Sequence, residues 1–230
     1  MQSNTSQAFE ASLPFILRWE GGFVDDPDDR GGRTNKGVTQ NVYHAWRADQ
    51  GLPQQDVRQI NDQEVAAIYF QRYWSPAKCG ALRRKLDLAA FDTAVNMGPN
   101  RAIKVLQQAV GCDADGAFGD KTKAACDSCD LGEAMINYCD IREGIYRTLA
   151  RRLGQDKFLK GWLNRLNALR RELGLPGFEG TIEPEPDPAT PAPNTRISRQ
   201  ARRSKYGARH NTHAFDLGAR RVVASTCPGF

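Results

Sequence analysis

A carboxylate occupies an unusual place near the start of the chain, in the segment FILRWEGGFVDDPDDRGGRTNKGVT at residues 15–39. Leu13, Ile16 and Leu17 recur at helical spacing, and the next position of this apolar stripe is Glu20, so the carboxylate should face the interior side of its helix. We expect Glu20 in the last helical turn, where burial and the helix dipole both disfavour the anion and raise the pKa of the carboxyl. A carboxylic acid that keeps its proton near neutral pH can serve as a general acid.

The segment after Glu20 is rich in turn formers and acidic residues. It begins with two glycines and contains four aspartates, Asp25, Asp26, Asp28 and Asp29. A loop that doubles back could hold one of them across a narrow cleft from Glu20, which is the two-carboxylate geometry of glycoside hydrolysis. Two plainer interpretations stay open. The aspartates could form a solvated turn or an incomplete calcium loop, and Glu20 could cap its helix or pair with Arg18 or another arginine.

Composition places the chain among ordinary globular proteins. It has 230 residues, of which 40% are hydrophobic and 26% charged, enough for one core and a small extra lobe. We expect no membrane-spanning segment and no ordinary secretory signal, because charges interrupt every apolar run. Six cysteines in a chain of this size form no disulfide framework, so a structural or free-thiol role is expected for them.

Helical periodicity dominates the first three quarters of the chain. Ser12 and Pro14 are typical of a helix start, and seven further helical segments are predicted, at about 39–48, 62–74, 87–97, 100–110, 119–128, 131–153 and 156–173. Alternating strand patterns are scarce, and the Gly-rich residues 22–38 could form one small hairpin. The predicted fold class is therefore mainly α.

The composition changes abruptly near residue 180. The stretch TIEPEPDPATPAPNT at 181–195 is typical of an extended linker, and the rest of the chain is basic and poor in core-forming residues. Residues 181–230 hold 8 Lys and Arg against 4 Asp and Glu, so most of the net charge of +5 lies there. We predict a Pro-rich linker and a basic, largely disordered tail over 179–230.

Several ordered motifs resemble one family. The block WEGGFVDDPDDRGGRTNKGVT, and after it the motifs YFQRYWSP, AAFDTAVNMGPNRAIKVLQQAVG, DGAFGDKT and KGWLNRL, are similar to glycoside hydrolase family 108, the phage and prophage lysozymes. The resemblance covers about residues 9–175. It implies a lysozyme-like helical fold, a catalytic N-terminal lobe at 1–98 and a helical C-terminal lobe at 99–178 similar to a peptidoglycan-binding part. It also implies that Glu20, the acid of the EGG motif, is catalytic.

A looser resemblance bears on the partner of Glu20. Phage-type lysozymes of another family carry a catalytic Glu, then an Asp after eight intervening residues. A Thr follows that Asp after five further intervening residues. Asp29 fits this spacing and Thr34 departs from it by one residue, so by this likeness Asp29 is the second carboxylate and Thr34 positions the water. Asp25, Asp26 and Asp28 stay open as alternatives and as substrate-binding residues.

Three further polar residues are candidates for substrate binding. Asn35 belongs to the TN pair of the signature block, and Asp92 and Asn96 share one helix face. Capping or a salt bridge is an equally good explanation for Asp92 and Asn96. Arg165, in the last helix, is expected to pack and brace.

The expected function is a peptidoglycan hydrolase that cleaves the β-1,4 bond between N-acetylmuramic acid and N-acetylglucosamine. A lytic transglycosylase and a non-catalytic wall-binding or phage structural module are the alternatives. No metal, organic cofactor or nucleic acid is expected, and we expect a monomer. The resemblance implies an endolysin that waits in the cytoplasm until a holin or host lysis releases it to the wall, where the basic tail could bind the anionic envelope.

Overall fold

The computed structural model describes residues 2–25, 32–153 and 156–177. The elements in chain order are α1 (Gln2–Leu17), β1 (Thr34–Asn35), β2 (Val38–Thr39), α2 (Gln40–Asp49), α3 (Asp62–Tyr69), α4 (Leu86–Met97), α5 (Pro99–Ala109), α6 (Asp120–Ser128), α7 (Leu131–Leu153) and α8 (Asp156–Leu173). A π-helical turn, Phe70–Trp74, continues α3, and 3-10 turns lie at Val57–Gln59 and Cys79–Ala81. The mainly α prediction is confirmed. The predicted linker and tail at 179–230 lie outside the described residues.

Helix α1 begins at Gln2, so the start predicted near Ser12 and Pro14 is wrong. Pro14 lies inside the helix, where its ring removes a backbone hydrogen-bond donor, and the Ser12 hydroxyl donates to the Ala8 carbonyl at 2.8 Å instead of capping. Packing explains why the helix continues. The buried ring of Phe9 lies 5.2 to 5.6 Å from three aromatic rings, those of Phe70, Trp74 and Phe91. Burial of the residues before the proline offsets its local cost.

The predicted hairpin is present and small. Strands β1 and β2 pair antiparallel, with Thr34 opposite Thr39 and Asn35 opposite Val38, and a single bridge joins Val24 to Thr34. The two turn residues, Lys36 and Gly37, have φ of 48° and 75°. Two positive φ values in a two-residue loop match the twist of paired strands, which explains the glycine at position 37.

Side chains tie the hairpin to the following segment. The buried Asn35 amide donates to the Val57 carbonyl at 3.1 Å, and the Arg33 guanidinium contacts the Asp56 carboxylate at 2.9 Å. From the other side, the Tyr69 hydroxyl donates to the Lys36 carbonyl at 3.1 Å. The hairpin is thereby held against α3, beside the end of α1.

Helix α4 is the centre of the molecule. All of its residues except Val95 are buried, and it packs against α1, α5, α7 and the π-helical turn. The hydrophobic core runs from Phe9 to Leu173 without a break at the boundary predicted between residues 98 and 99. That boundary stays a prediction. It coincides with a tight turn, since Gly98 has a φ of 89° and Pro99 begins α5.

Two negative findings apply to the described part of the chain. None of the helices in residues 2–25, 32–153 and 156–177 is long and apolar enough to cross a bilayer. The five cysteines in these ranges, Cys79, Cys112, Cys126, Cys129 and Cys139, are free thiols.

The packing of α1 ahead of its proline leads to a stability prediction. Phe9→Ala should lower the free energy of unfolding by about 3 to 5 kcal/mol, because it leaves a cavity among three aromatic rings. Ile136→Ala is the control, since Ile136 is 40% exposed and its truncation should cost less than about 0.5 kcal/mol. Urea unfolding measures both. Equal effects of the two substitutions would show that residues before Ser12 do not belong to the core.

Candidate active site

Glu20 lies directly after helix α1. The helix ends at Leu17, and two tight turns follow, in which the Trp19 amide donates to the Ile16 carbonyl at 3.0 Å and the Glu20 amide to the Leu17 carbonyl at 3.2 Å. The expected position in the last helical turn is therefore off by three residues, which weakens the dipole argument. The expected direction is confirmed: the Glu20 side chain is only 1% exposed, although the chain then leaves through the exposed Gly21 and Gly22.

The partner of Glu20 comes from the other end of the chain. Nη1 of Arg165, on α8, donates to Oε1 of Glu20 at 3.1 Å, and the Arg165 side chain is 6% exposed. Arg18, the neighbouring arginine, instead pairs with Glu172 on the surface. The other carboxyl oxygen of Glu20, Oε2, is buried and has no hydrogen-bond partner among the described residues. One oxygen is thus held by Arg165, and the other is buried without a hydrogen-bond partner among the described residues.

A second buried carboxylate holds Arg165 from behind. Nε and Nη2 of Arg165 lie 2.8 and 2.7 Å from Oδ1 of Asp92, and Oδ2 of Asp92 lies 2.5 Å from Nη1 of Arg142 on α7. Asp92 and Arg142 are both fully buried. We call these four side chains, Glu20, Arg165, Asp92 and Arg142, the charge cluster. Every member of the charge cluster, Glu20 included, contacts a group of opposite charge or potential charge, as buried ions require.

Asn96 is linked to the charge cluster through the hydroxyl group of Tyr146. Arg142 donates through Nη2 to the Tyr146 hydroxyl at 2.8 Å, and Tyr146 donates to Oδ1 of Asn96 at 2.7 Å. Asn96 lies one turn after Asp92 on α4, and both side chains are buried. These contacts fit the salt-bridge alternative for the pair better than a direct contact with sugar, and a role of either residue in substrate binding stays untested.

Burial governs the protonation of Glu20. It raises the pKa of this carboxyl to about 7, against the lowering effect of the Arg165 charge and its hydrogen bond and with a smaller raising effect of Asp92. For Asp92 the outcome is opposite. Burial raises its pKa, but Arg142 and Arg165 together outweigh it and hold the pKa below its usual range. Two carboxyls in one cluster therefore differ in charge near neutral pH, Glu20 being partly protonated and Asp92 ionised.

Two tyrosines complete the surroundings of Glu20. Tyr69, at the end of α3, and Tyr73, in the π-helical turn, have ring centroids 5.5 Å apart. Burial and the charge of Glu20 raise the pKa of both phenols, so they stay neutral. Tyr69 donates its hydroxyl proton to the Lys36 carbonyl, and the phenol also lies close enough to Glu20 to lower the pKa of that carboxyl.

Three of the other predicted residues, Asp25, Thr34 and Asn35, lie in or next to the hairpin. Asp25 is exposed and contacts Nε of Arg33 at 3.1 Å, and the Thr34 hydroxyl donates to the Gly32 carbonyl at 3.1 Å. The Asn35 amide is used within the protein, as described above. Asp26, Asp28 and Asp29 lie outside the described residues. The predicted roles of these six residues therefore stay predictions.

Three participants were not predicted as site residues. Arg165 was expected only to brace, and Arg142 and Tyr69 were not considered. A faint signal exists for the arginines, since Arg142 interrupts the apolar stripe of α7 and Arg165 that of α8. In the described ranges, no group of three His, Cys, Asp or Glu side chains is arranged to hold a metal ion.

Comparisons with known proteins identify the family of the chain. The family Glycosyl hydrolase 108 matches residues 13–98, and the family Predicted Peptidoglycan domain matches residues 101–167. Among solved structures, SagA from Brucella abortus is similar, with 31% sequence identity and a TM-score of 0.62, over 77% of this chain and 99% of SagA. A search of curated proteins found no match.

Sequence and fold thus agree over the segments that build the charge cluster. The chain belongs to the glycosyl hydrolase 108 family and carries a peptidoglycan-binding part, which makes it a glycoside hydrolase that acts on peptidoglycan.

Proposed function

We propose that the chain is a lysozyme that cleaves the β-1,4 bond between N-acetylmuramic acid and N-acetylglucosamine, with Glu20 as the general acid. The observation that supports this most is a buried carboxyl with a pKa of about 7, one oxygen held by Arg165 and the other unpaired. A general acid must carry its proton before the reaction and lose it readily during the reaction, and a pKa near the working pH satisfies both needs.

The charge cluster favours the proton transfer. Glu20 donates its proton to the glycosidic oxygen, and the bond from that oxygen to the anomeric carbon breaks. Before transfer the cluster holds two guanidinium groups, of Arg142 and Arg165, against one carboxylate, Asp92; after transfer the Glu20 anion balances the second guanidinium. The anion is therefore formed beside an existing, buried positive charge, which stabilises it.

The second carboxylate is proposed from the acidic loop. Asp29, assisted by Thr34, is our first choice for activating the water or stabilising the oxocarbenium ion, with Asp25, Asp26 and Asp28 as alternatives. Arg33 counts against Asp25 alone, because it already binds that carboxylate. Asp92 is a poor choice for the role, since it is fully buried between two arginines. Direct sugar contacts of Asn35, Asp92 and Asn96 are a weaker proposal.

A lytic transglycosylase is the second candidate. This reaction needs an acid but no activated water. Among the described residues near Tyr69 and Tyr73, Glu20 is the carboxyl whose pKa is raised, so it could supply that acid without a second carboxylate. The two candidates differ in their products, reducing muramic acid ends for the hydrolase and anhydromuramic ends for the transglycosylase. A pure wall-binding module would release neither.

Two further proposals follow from the lysozyme assignment. The protein is released to the wall through a holin or host lysis, and the basic tail binds the envelope.

Glu20→Gln should abolish digestion of purified sacculi, because an amide N–H is too weak an acid to protonate the glycosidic oxygen. At pH 5 the free energy of unfolding should stay within about 1 kcal/mol of the parent, since the amide oxygen can still accept from Arg165. Mass spectrometry of the digest gives both rate and product ends. If the variant digests walls at nearly the parental rate, Glu20 is not the acid.

Asp29→Asn should lower the rate of digestion more than the same change at Asp25, Asp26 or Asp28, by about 100-fold or more if Asp29 activates the water. Equal, small effects at all four positions, with anhydromuramic ends in the parental digest, would support the transglycosylase instead.

Stability should depend on pH through Glu20. The folded-state pKa of about 7 exceeds the ordinary value of 4.5, so the folded protein binds the proton more tightly. This contribution to stability is fully present below about pH 4.5 and is lost as the pH rises through about 7, a change on the order of 3 kcal/mol. Glu20→Gln should lack this loss and gain on the parent between pH 5 and 8, as followed by urea unfolding, with Glu133→Gln as an exposed control. Parallel pH curves of parent and Glu20→Gln would mean that Glu20 is not held in a medium that disfavours its charge.

A further inference from the structure

The charge cluster is assembled from two segments that match different families. Glu20 and Asp92 lie in the segment matched as Glycosyl hydrolase 108, at 13–98, while Arg142 and Arg165 lie in the segment matched as Predicted Peptidoglycan domain, at 101–167. Glu20 therefore contacts a side chain of the segment at 101–167, and the description of that segment's family mentions only peptidoglycan.

We propose that Arg165 is a positioning residue of the active site: the peptidoglycan-domain segment supplies the guanidinium that orients the Glu20 carboxyl and stabilises the anion left after proton transfer. This inference rests on the proposed role of Glu20 as the acid, and it adds a catalytic task to a segment otherwise expected to bind the wall or complete the fold.

The guanidinium is held in a fixed orientation. One edge of Arg165, Nε and Nη2, is bound to Asp92, and Nη1 is left to point at Glu20. Asp92 cannot turn away, because its second oxygen contacts Arg142, and Arg142 is itself bound to Tyr146. A planar fork held along one edge fixes the direction of its remaining donor, which a flexible ammonium could not do.

The contact also leaves the acid free to act. Arg165 binds one oxygen of Glu20, and Oε2 has no partner among the described residues. A guanidinium has only donors, so Arg165 occupies Oε1 and leaves Oε2 to carry the proton. Arg165 thus restrains the carboxyl without occupying the atom that must donate.

The groups around Glu20 act on its charge in opposite directions. From α8, Arg165 lowers the pKa of Glu20, and from α4, Asp92 raises it. The neutral phenol of Tyr69, at the end of α3, lowers it slightly as a hydrogen-bond donor, and the neutral phenol of Tyr73 faces it from the π-helical turn. Arg142, on α7, contacts Asp92 and not Glu20. Removing Arg165 and removing Asp92 should therefore shift the titration of Glu20 in opposite directions, which a purely structural role would not produce.

Full-length variants test this with two measurements, the pH profile of kcat/KM on sacculi and the titration of Glu20 by infrared difference spectroscopy without substrate. In Arg165→Gln, the alkaline midpoint of the kcat/KM profile and the midpoint of the Glu20 titration should both rise by about 1 to 3 pH units. The reason is that the positive charge in contact with Glu20 is lost. In Asp92→Asn both midpoints should fall. Arg165→Lys keeps the charge, so its midpoint should stay near the parental one while kcat falls at unchanged KM, because one ammonium cannot bind Glu20 and Asp92 together.

Arg170→Gln is the matched control. Arg170 is also buried on α8, but it contacts Asp140 at 2.9 Å and the Pro176 carbonyl at 2.6 Å. Its loss should leave both midpoints unchanged. If Arg165→Gln also leaves them unchanged, the proposal is overturned. If Arg165→Gln does not fold, as judged by circular dichroism, Arg165→Lys decides, because a parental kcat in that variant would equally overturn it.

The spectroscopic titration separates this proposal from the proposed function. A shifted Glu20 midpoint in Arg165→Gln, together with an active Glu20→Gln, would support the contact and refute the acid. An unshifted midpoint, together with an inactive Glu20→Gln, would support the acid and refute the role of Arg165.

Discussion

Burial of one carboxyl against one guanidinium is the interaction on which the site depends. Water would stabilise a Glu20 anion, and the fold removes that water, so the carboxyl retains its proton up to about pH 7. Without Arg165 the same burial would raise the pKa further and make the acid too weak to give its proton away. With Arg165 but without burial, the acid would be ionised. The balance of these two opposing effects sets the chemistry.

The rest of the structure maintains this balance. Helix α4 carries Asp92 through the middle of the core, and α7 and α8 bring two arginines to it from the other half of the chain. Three buried charges can coexist there because each contacts an opposite one. On the other face of Glu20, the hairpin is held by hydrogen bonds to the 3-10 turn at Val57–Gln59 and to Tyr69. The site thus has a rigid, charged inner side and a hairpin on its outer side.

Local sequence patterns predicted the helices well and the charge cluster poorly. Helices α7 and α8 have their predicted bounds, 131–153 and 156–173. The predicted start of α1 was wrong because a proline is only a local signal. Packing of Phe9 against aromatic rings from distant parts of the chain offsets the cost of Pro14 inside the helix. Glu20 was found because its stripe, its glycines and its family motif all lie within a few residues. Arg165 is 145 positions away, and no local pattern specifies which buried arginine meets which carboxylate.

Titration of the Glu20 carboxyl carbon by NMR, in protein labelled with carbon-13 at glutamate Cδ and assigned with Glu20→Gln, is the most direct test. A midpoint near 7 is the predicted result, well above the ordinary value of 4.5. A midpoint at or below that ordinary value would contradict the account, because such a carboxylate would hold no proton to donate near neutral pH.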